Sequence, residues 1–575
     1  MSSLGGQWRV IRHYLSLSNL NAEVEKLVQK LKPATPDQWD NLIQKFEKAV
    51  SARLSGQVAA GADADKTEAD AKPNNAAAED TNSKTVKPAS EPKPREAAGS
   101  ELSVEGLLQG LRLKKDTQLG KISQPTWKEQ KSSVSKSSIA SRTAYVIGAV
   151  SAATSRDSVL RRAERLVEHL HEFPEARDYA IKEGAVRALL RVQDSLDHAE
   201  PLAKEIDGVV NEALALVGYC GPPRGPGANI LALDGGGIRG IIAIEMLRHL
   251  ERLSGRRVTE LFDYVAGVST GAIIAAVLCG GAGTLDSARH MYYTLSQDMF
   301  GNTSLLGGGA RLVWTHAYYD TQAWERLLQD NLRDVTLTHC NRSHAPKLAI
   351  VSCVVNRGSR LAPFLFRSYE VGWRRRSVFP GTSRAPLWAA VRASAAAPTY
   401  FDEFRHDGLL HQDGGILVNN PAAVAVHEAR LLFGAAAVAR GSLVSLGTGR
   451  ALSAHTDYRR LTSALADRQQ PTSWRDKFNK ILDSATDTEG VHLVMNDLFP
   501  AGGYFRFNPP LMQDCAMDEI DKAKLDNLVV DTHAYIRRNQ HKFEQAAAQL
   551  CRRRGLLQRV TDAAKRQAIL AGIAD

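Results

Sequence analysis

Leu261-Phe262-Asp263-Tyr264-Val265-Ala266-Gly267-Val268-Ser269-Thr270-Gly271 runs into a stretch of Ala, Ile, Val and Leu that ends near Gly280. Gly267 to Gly271 fits Gly-x-Ser-x-Gly. The pattern predicts a short strand from Tyr264 to Ala266, a turn at Ser269 and a buried helix from Ala272 to Leu278. A serine on a sharp strand-to-helix turn has its hydroxyl exposed by a strained backbone. Glycines on both sides tolerate unusual φ/ψ, and the helix aims its positive end at any oxyanion formed there. Five letters alone are a weak signal; strand before and apolar helix after make Ser269 a candidate nucleophile.

On its N-terminal side, Gly221 to Gly227 is a Gly/Pro boundary, and Asn229 to Leu233 reads as a buried strand. Asp234-Gly235-Gly236-Gly237-Ile238-Arg239-Gly240 follows, then a helix from Ile241 to Leu253. Alternating strands and helices imply an α/β sandwich. The glycine loop literally matches Gly-x-Gly-x-x-Gly, which raises a dinucleotide site. That reading wants an acid at the end of the next strand, where this chain has Gly267-Val268-Ser269. The better reading is an oxyanion loop whose backbone N–H groups converge at a helix start. Arg239 either adds charge toward a phosphate or braces the loop.

On the C-terminal side, Tyr318 to Leu332 region reads as a helix capped by Asp320 or Thr321, and Lys347 to Val355 as a strand. Trp373 precedes Arg374-Arg375-Arg376, which either presses on an acidic bilayer surface or is a solvated loop. Leu387 to Ala396 reads as a helix closed by Pro398. His411-Gln412-Asp413-Gly414-Gly415 ends a short apolar strand with a carboxylate. The plain reading of Asp413 is an Asp-Gly turn; the sharper one is a general base for Ser269, which burial or alignment must tune. Ser442 to Gly449 reads as a further strand and Gly-rich turn; a polar stretch (Leu452 to Glu489), the segment Tyr504 to Pro509 and helices at 521–537 and 539–552 follow.

The 575 residues suffice for two or more domains, and 43% hydrophobic with 24% charged is ordinary for a globular chain. The net charge of +10 suits anionic partners. Six scattered cysteines form no Cys-x-x-Cys pair, so a reducing compartment is expected, without disulfides or zinc. No run reaches the length of a membrane span, and no secretory signal is visible. Arg9, Arg12 and several serines, with no acid before Glu23, fit a mitochondrial presequence or an ordinary flexible start. The last residues, Gly572 to Asp575, are not a peroxisomal tail.

The domain plan expected is a helical segment at 1–50, then a disordered linker at 51–142 with no aromatic between Phe46 and Trp127. A helical, armadillo-like module follows at 143–220, with helix–Gly–helix around Gly184, too short to be a solenoid alone. Residues 228–425 carry nucleophile and base, and 426–575 complete the domain.

Three separated blocks, Asp234 to Gly240, Gly267 to Gly271 and Asp413 to Gly415, occur in the order found in patatin-like phospholipases. Phe262 to Ala272, Tyr319 to Trp324, Arg392 to Phe401 and Tyr504 to Phe507 resemble the gamma branch of its calcium-independent phospholipases A2. The resemblance covers roughly 228–552. It implies a three-layer α/β/α sandwich with a mostly parallel sheet, a Ser–Asp dyad, no metal or other cofactor, and hydrolysis of acyl esters in phospholipids or lysophospholipids. By position it makes Ser269 the nucleophile, Asp413 the base, and Gly235, Gly236, Gly237 and Arg239 the oxyanion loop. Arg374, Arg375 and Arg376 are candidate substrate or membrane contacts. The expected partners are phospholipid and a peripheral membrane surface, not nucleic acid, with the helical module open to a protein partner or a second copy. The expected location is an intracellular organelle membrane. Three readings stay open: a Ser-His-Asp hydrolase using His427, His455 or His492, an acyltransferase through the same acyl-enzyme, and a lipid-binding scaffold with a vestigial site.

Overall fold

The computed structural model describes residues 135–573, apart from 198, 281–282, 295–318, 373–374, 399, 452–487 and 514. The helices expected within 1–50, the linker through 134 and the polar stretch at 452–487 lie outside the described residues.

Five helices come first: α1 (Lys136–Ser151), α2 (Arg156–Glu172), α3 (Ala176–Lys182), α4 (Ala185–Asp194) and α5 (Ala203–Leu216). Ser135 and Ser155 open α1 and α2, each accepting a backbone N–H from three residues on. Gly184, at φ 77, makes the left-handed turn between α3 and α4. Apolar residues at helical spacing, among them Val159, Ala163, Leu166, Val167 and Leu170 on α2, close a core of their own. The first helix opens seven residues ahead of the 142/143 boundary expected from composition. The module is tied to the sheet domain by charge as well as packing. Glu212 of α5 meets Arg342, and Asp207 lies 2.5 Å from His344.

β1 (Ile230–Leu233), α6 (Gly240–Ser254), β2 (Tyr264–Val268), α7 (Thr270–Cys279), α8 (Leu285–Thr294) and α9 (Thr321–Leu332) follow. Next are β3 (Lys347–Val354), β4 (Ala362–Arg367), β5 (Gly381–Thr382), α10 (Leu387–Ser394), β6 (Phe404–His406) and β7 (Leu409–Asp413). The chain continues with α11 (Ala422–Phe433), β8 (Leu443–Leu446), β9 (Arg450–Ala451), α12 (Glu489–Leu498), β10 (Tyr504–Phe507), α13 (Lys522–Arg538), α14 (Gln540–Leu550) and α15 (Leu556–Leu570). Sequence reading assigned no element to α8, β4, β5, β6, α11, β9, α12, β10 or α15.

The main sheet runs β10-β8-β1-β2-β3-β4-β5, parallel from β10 through β3, with β4 antiparallel to β3. The strands are apolar on both sides because both faces are covered. Leu231 and Leu233 face a core shared with α6, α7, α13 and α14. Ile230 and Ala232 face Ala422, Ala425 and Ala429 of α11. All ten residues of α7 are buried, which explains its lack of a polar face. Truncating one of them, Ile274→Ala for example, would cost about 2–5 kcal/mol. The result is the expected α/β/α sandwich with a mostly parallel sheet.

One irregularity positions the site. β4 pairs with β3 over residues 349–354, occupying one edge of β3. β2 takes the other edge as far as Val351, and β7 takes that same edge from Ser352 to Val354, antiparallel. β2 and β7 therefore abut end to end, with Val268↔Val351 and Asp413↔Ser352 flanking the seam. A Cβ at Gly414 would lie 2.2 Å from Val351 O, so only glycine lets the chain turn away there.

Candidate active site

Ser269 is the residue after β2 and the cap of α7, at φ 52 and ψ −117. A non-glycine residue at positive φ is strained, and such strain is held only where the surroundings over-determine it. The surroundings are tight: a Cβ on Gly267 would lie 2.4 Å from Gly271 O, and one on Gly271 would lie 2.2 Å from Leu233 O. Both glycines are therefore required by contact with backbone.

Ser269 Oγ donates to Asp413 Oδ2 at 2.6 Å. The other carboxylate oxygen, Oδ1, accepts the Gly415 N–H at 2.7 Å. Asp413 is 7% exposed, and burial pushes its carboxyl up to about 6 despite these two hydrogen bonds, which pull it down. A buried acid tuned toward neutrality is suited to accept a proton from an alcohol.

The glycine loop leaves β1 beside Ser269. A Cβ on Gly235 would lie 3.3 Å from Ser269 Cβ and 2.3 Å from Asn419 Oδ1, so Gly235 contributes close approach. Its own N–H is occupied, donating to Asn419 O at 3.2 Å. Gly235 is thus not an oxyanion donor in this arrangement. The Gly236 and Gly237 amides donate to no backbone carbonyl among the described residues. Gly237 sits at φ 61 with Met517 O at its open side, and the next amide, Ile238 N, donates to that carbonyl at 2.9 Å. Thr448 Oγ1 donates to Gly235 O, and Thr270 Oγ1 to Gly237 O, both at 2.7 Å. Arg239 braces the loop, its Nε donating to Gly236 O at 3.2 Å.

Sequence reading missed several supports. Ser394, at the end of α10, accepts the Ser269 N–H at 2.8 Å. Arg506 of β10 pairs with buried Asp234, the first residue of the loop, at 2.7 Å. Burial pushes the Asp234 carboxyl up to about 6 against the pull of that guanidinium. Asn419 and Thr448 hold the loop from two other elements. Ser394 and Arg506 lie in stretches that resemble the family, but the role of each rests on a contact made only by the tertiary fold.

The histidines are engaged elsewhere. His411 Nδ1 bonds Ser352 Oγ at 3.0 Å, and its ring packs against Phe364 and Phe366. His492 Nδ1 bonds Tyr504 OH at 3.1 Å, and His427 packs edge-on against Phe379. His455 lies outside the described residues, as does Arg374. Arg375 and Arg376 are exposed, and Arg375 donates to Leu431 O at 2.6 Å. None of the described ones hydrogen-bonds Ser269 or the Asp413 carboxylate.

Comparison with known proteins gives one consistent picture. Residues 231–426 match the patatin-like phospholipase family. The chain is 38% identical over 430 residues to calcium-independent phospholipase A2-gamma of Oryctolagus cuniculus, covering 75% of this chain and 52% of that protein. It is equally similar to the Homo sapiens protein of that name, of which 53% is covered. Phospholipase A I of Arabidopsis thaliana is 28% identical over 381 residues, covering 56% of this chain and 28% of that protein. The chain spans about half the length of the gamma relatives it matches.

Proposed function

Because the chain carries a patatin-like phospholipase domain over residues 231–426, we propose that it is a calcium-independent lipid acyl hydrolase acting on glycerophospholipids and lysophospholipids. The observation that carries this reading is the 2.6 Å hydrogen bond from Ser269 Oγ to Asp413 Oδ2, on a strained turn beside a glycine loop. The names of the relatives support the substrate class.

Asp413 Oδ2 takes the hydroxyl proton as Ser269 Oγ attacks the acyl carbonyl carbon. The carbonyl oxygen becomes an oxyanion, which the Gly236 and Gly237 amides receive, a contact worth about 3–4 kcal/mol per donor. The tetrahedral intermediate collapses, the C–O bond to glycerol breaks, and Asp413 returns its proton to the departing oxygen. Water then gives a proton to Asp413 and attacks the acyl-enzyme, and fatty acid leaves as Ser269 regains its proton.

The natural surface for this reaction is a membrane. The charge of +10 favours anionic lipid, and all six cysteines are free, which suits a reducing compartment. We place the protein peripherally on an intracellular organelle membrane. Flotation with anionic against neutral vesicles, and cell fractionation, test these two points. Among the described residues no helix is long and apolar enough to cross a membrane.

Fatty-acid release from phospholipid vesicles in excess chelator tests the reaction. Wild type is expected to be active, and Ser269→Ala and Asp413→Ala to lose roughly a thousandfold or more in kcat with folding intact. Activity retained by Asp413→Ala would remove aspartate as the base.

A further inference from the structure

We propose that Ser394 is a positioning residue for this reaction, its hydroxyl and carbonyl clamping the nucleophile turn and the base loop together at the seam between β2 and β7. This deepens the reading of Ser269 and Asp413 given above and rests on it.

Ser394 is fully buried and lies at the C-terminus of α10. Its Oγ accepts the Ser269 N–H at 2.8 Å and donates to Val351 O at 2.5 Å. Its own carbonyl accepts the Gly414 N–H at 3.2 Å, and two residues on, Ala396 O accepts the Asp413 N–H at 2.9 Å. One short segment thus touches the nucleophile's backbone, the base's backbone and the β3 carbonyl at the last residue paired with β2.

These contacts have a common geometric consequence. Ser269 has left the sheet and sits at positive φ, so no ladder bond holds its amide. The Ser394 hydroxyl replaces that bond and fixes the strained turn against β3. The same segment fixes where β7 stops. The separation of Ser269 Oγ from Asp413 Oδ2 is therefore set by a residue that touches neither reacting atom. Engagement of the Ser269 amide also means that this N–H does not serve the oxyanion.

Loss of the clamp should slow chemistry without weakening substrate binding. The test uses the full chain, a soluble nitrophenyl ester for kcat and KM, and a fluorophosphonate probe for the labelling rate of Ser269. Ser394→Ala and the nearly isosteric Ser394→Cys are compared with Ser368→Ala. Ser368 is an equally buried serine that accepts the Leu348 N–H at 2.9 Å at the far end of β3. We expect both Ser394 variants to lose kcat and labelling rate together, on the order of tenfold to a hundredfold, with KM little changed. Ser368→Ala should lower the melting temperature but keep kcat. If Ser394→Ala fails to fold, Ser394→Cys decides. Wild-type labelling rate and kcat in a folded Ser394→Cys would overturn the proposal. Ser269→Ala separates the two readings: labelling of that variant at the wild-type rate removes the nucleophile itself, whereas its silence leaves the Ser394 result to stand alone.

Discussion

Ser269 and Asp413 are 144 residues apart and sit at the ends of strands that never pair, yet their side chains meet at 2.6 Å. They meet because β2 and β7 share one edge of β3 and stop on either side of the same seam. Each then turns away through a glycine that backbone contact makes obligatory, Gly267 or Gly271 on one side and Gly414 on the other. The dyad is thus a product of strand register.

Asp413 must be ionised to take the serine proton, and burial has pushed its carboxyl up to about 6. Labelling of Ser269 by a fluorophosphonate should therefore plateau above neutrality and fall about tenfold per pH unit on the acid side of that value. A stopped-time labelling series between pH 4.5 and 8.5 on folded protein measures it. A midpoint near the ordinary carboxylate value would show that burial does not tune this group.

The same shift makes the base a cost to the fold. Its carboxyl ionises near 3.8 in the unfolded chain and about 6 in the folded one, so folding favours the protonated form. Its stabilising contribution is complete below 3.8 and is lost as pH rises through 6. At pH 8 the ionised group opposes folding by on the order of 3 kcal/mol. Asp413→Asn, which keeps the shape without the charge, should be inactive and yet more resistant to urea at pH 8 than wild type, with the gain vanishing near pH 4. Equal or lower stability at pH 8 would count against a buried, ionised base.

Much of this was legible in sequence, and the missing parts share a cause. Tyr264 to Gly271 announced strand, turn and helix because apolar periodicity and glycine placement are local signals. Asp413 reads from its neighbours either as an Asp-Gly turn or as the base for Ser269, and the family resemblance chose between them, since a 144-residue separation carries no local trace. β4 escaped because Pro363 sits inside Ala362–Arg367, and proline argues against a paired strand; here it lies at the strand's start. Ser394 lies in the stretch Arg392 to Phe401 that resembles the family, but nothing in that stretch says what its hydroxyl touches. Its importance lies in the seam, which no periodicity encodes. The family resemblance puts Gly235 in the oxyanion loop, whereas tertiary contact with Asn419 occupies its amide.

Glycines here divide into those that contact forbids to change and those that merely fill a helix. A Cβ on Gly271 would meet Leu233 O at 2.2 Å, on the neighbouring strand, where neither backbone has room to move. Gly271→Ala should cost more than about 4 kcal/mol or abolish soluble expression. Gly148, within α1, has nothing within 4 Å of its missing Cβ. Gly148→Ala should stabilise by about 0.5–1 kcal/mol, through helix propensity and a less disordered unfolded chain. Urea titrations of the pair would show opposite signs; a tolerated Gly271→Ala would mean that β1 and α7 are not packed as described.

Arg506 tests how the glycine loop is anchored. It is 4% exposed and its Nη2 pairs with Asp234, 2% exposed, at 2.7 Å and donates to Thr488 Oγ1 at 3.0 Å, while Nη1 donates to Ser445 Oγ at 2.9 Å. Arg506→Met leaves a buried carboxylate without its counter-charge at the root of the loop. The expected loss is about 3–5 kcal/mol at pH 8, where Asp234 is ionised in the unfolded chain and costly to bury. The sign of the pH effect follows. Without Arg506 the Asp234 carboxyl rises further above its ordinary value, so the protonated form is increasingly preferred and the penalty shrinks as pH falls toward 5. Adding Asp234→Asn to Arg506→Met removes the stranded charge and should recover part of the loss at pH 8. Urea denaturation of the four proteins of this cycle at pH 8 and pH 5 reads out the coupling. A loss in Arg506→Met that is independent of pH and not relieved by Asp234→Asn would mean that the guanidinium acts through packing, and the loop would need another anchor.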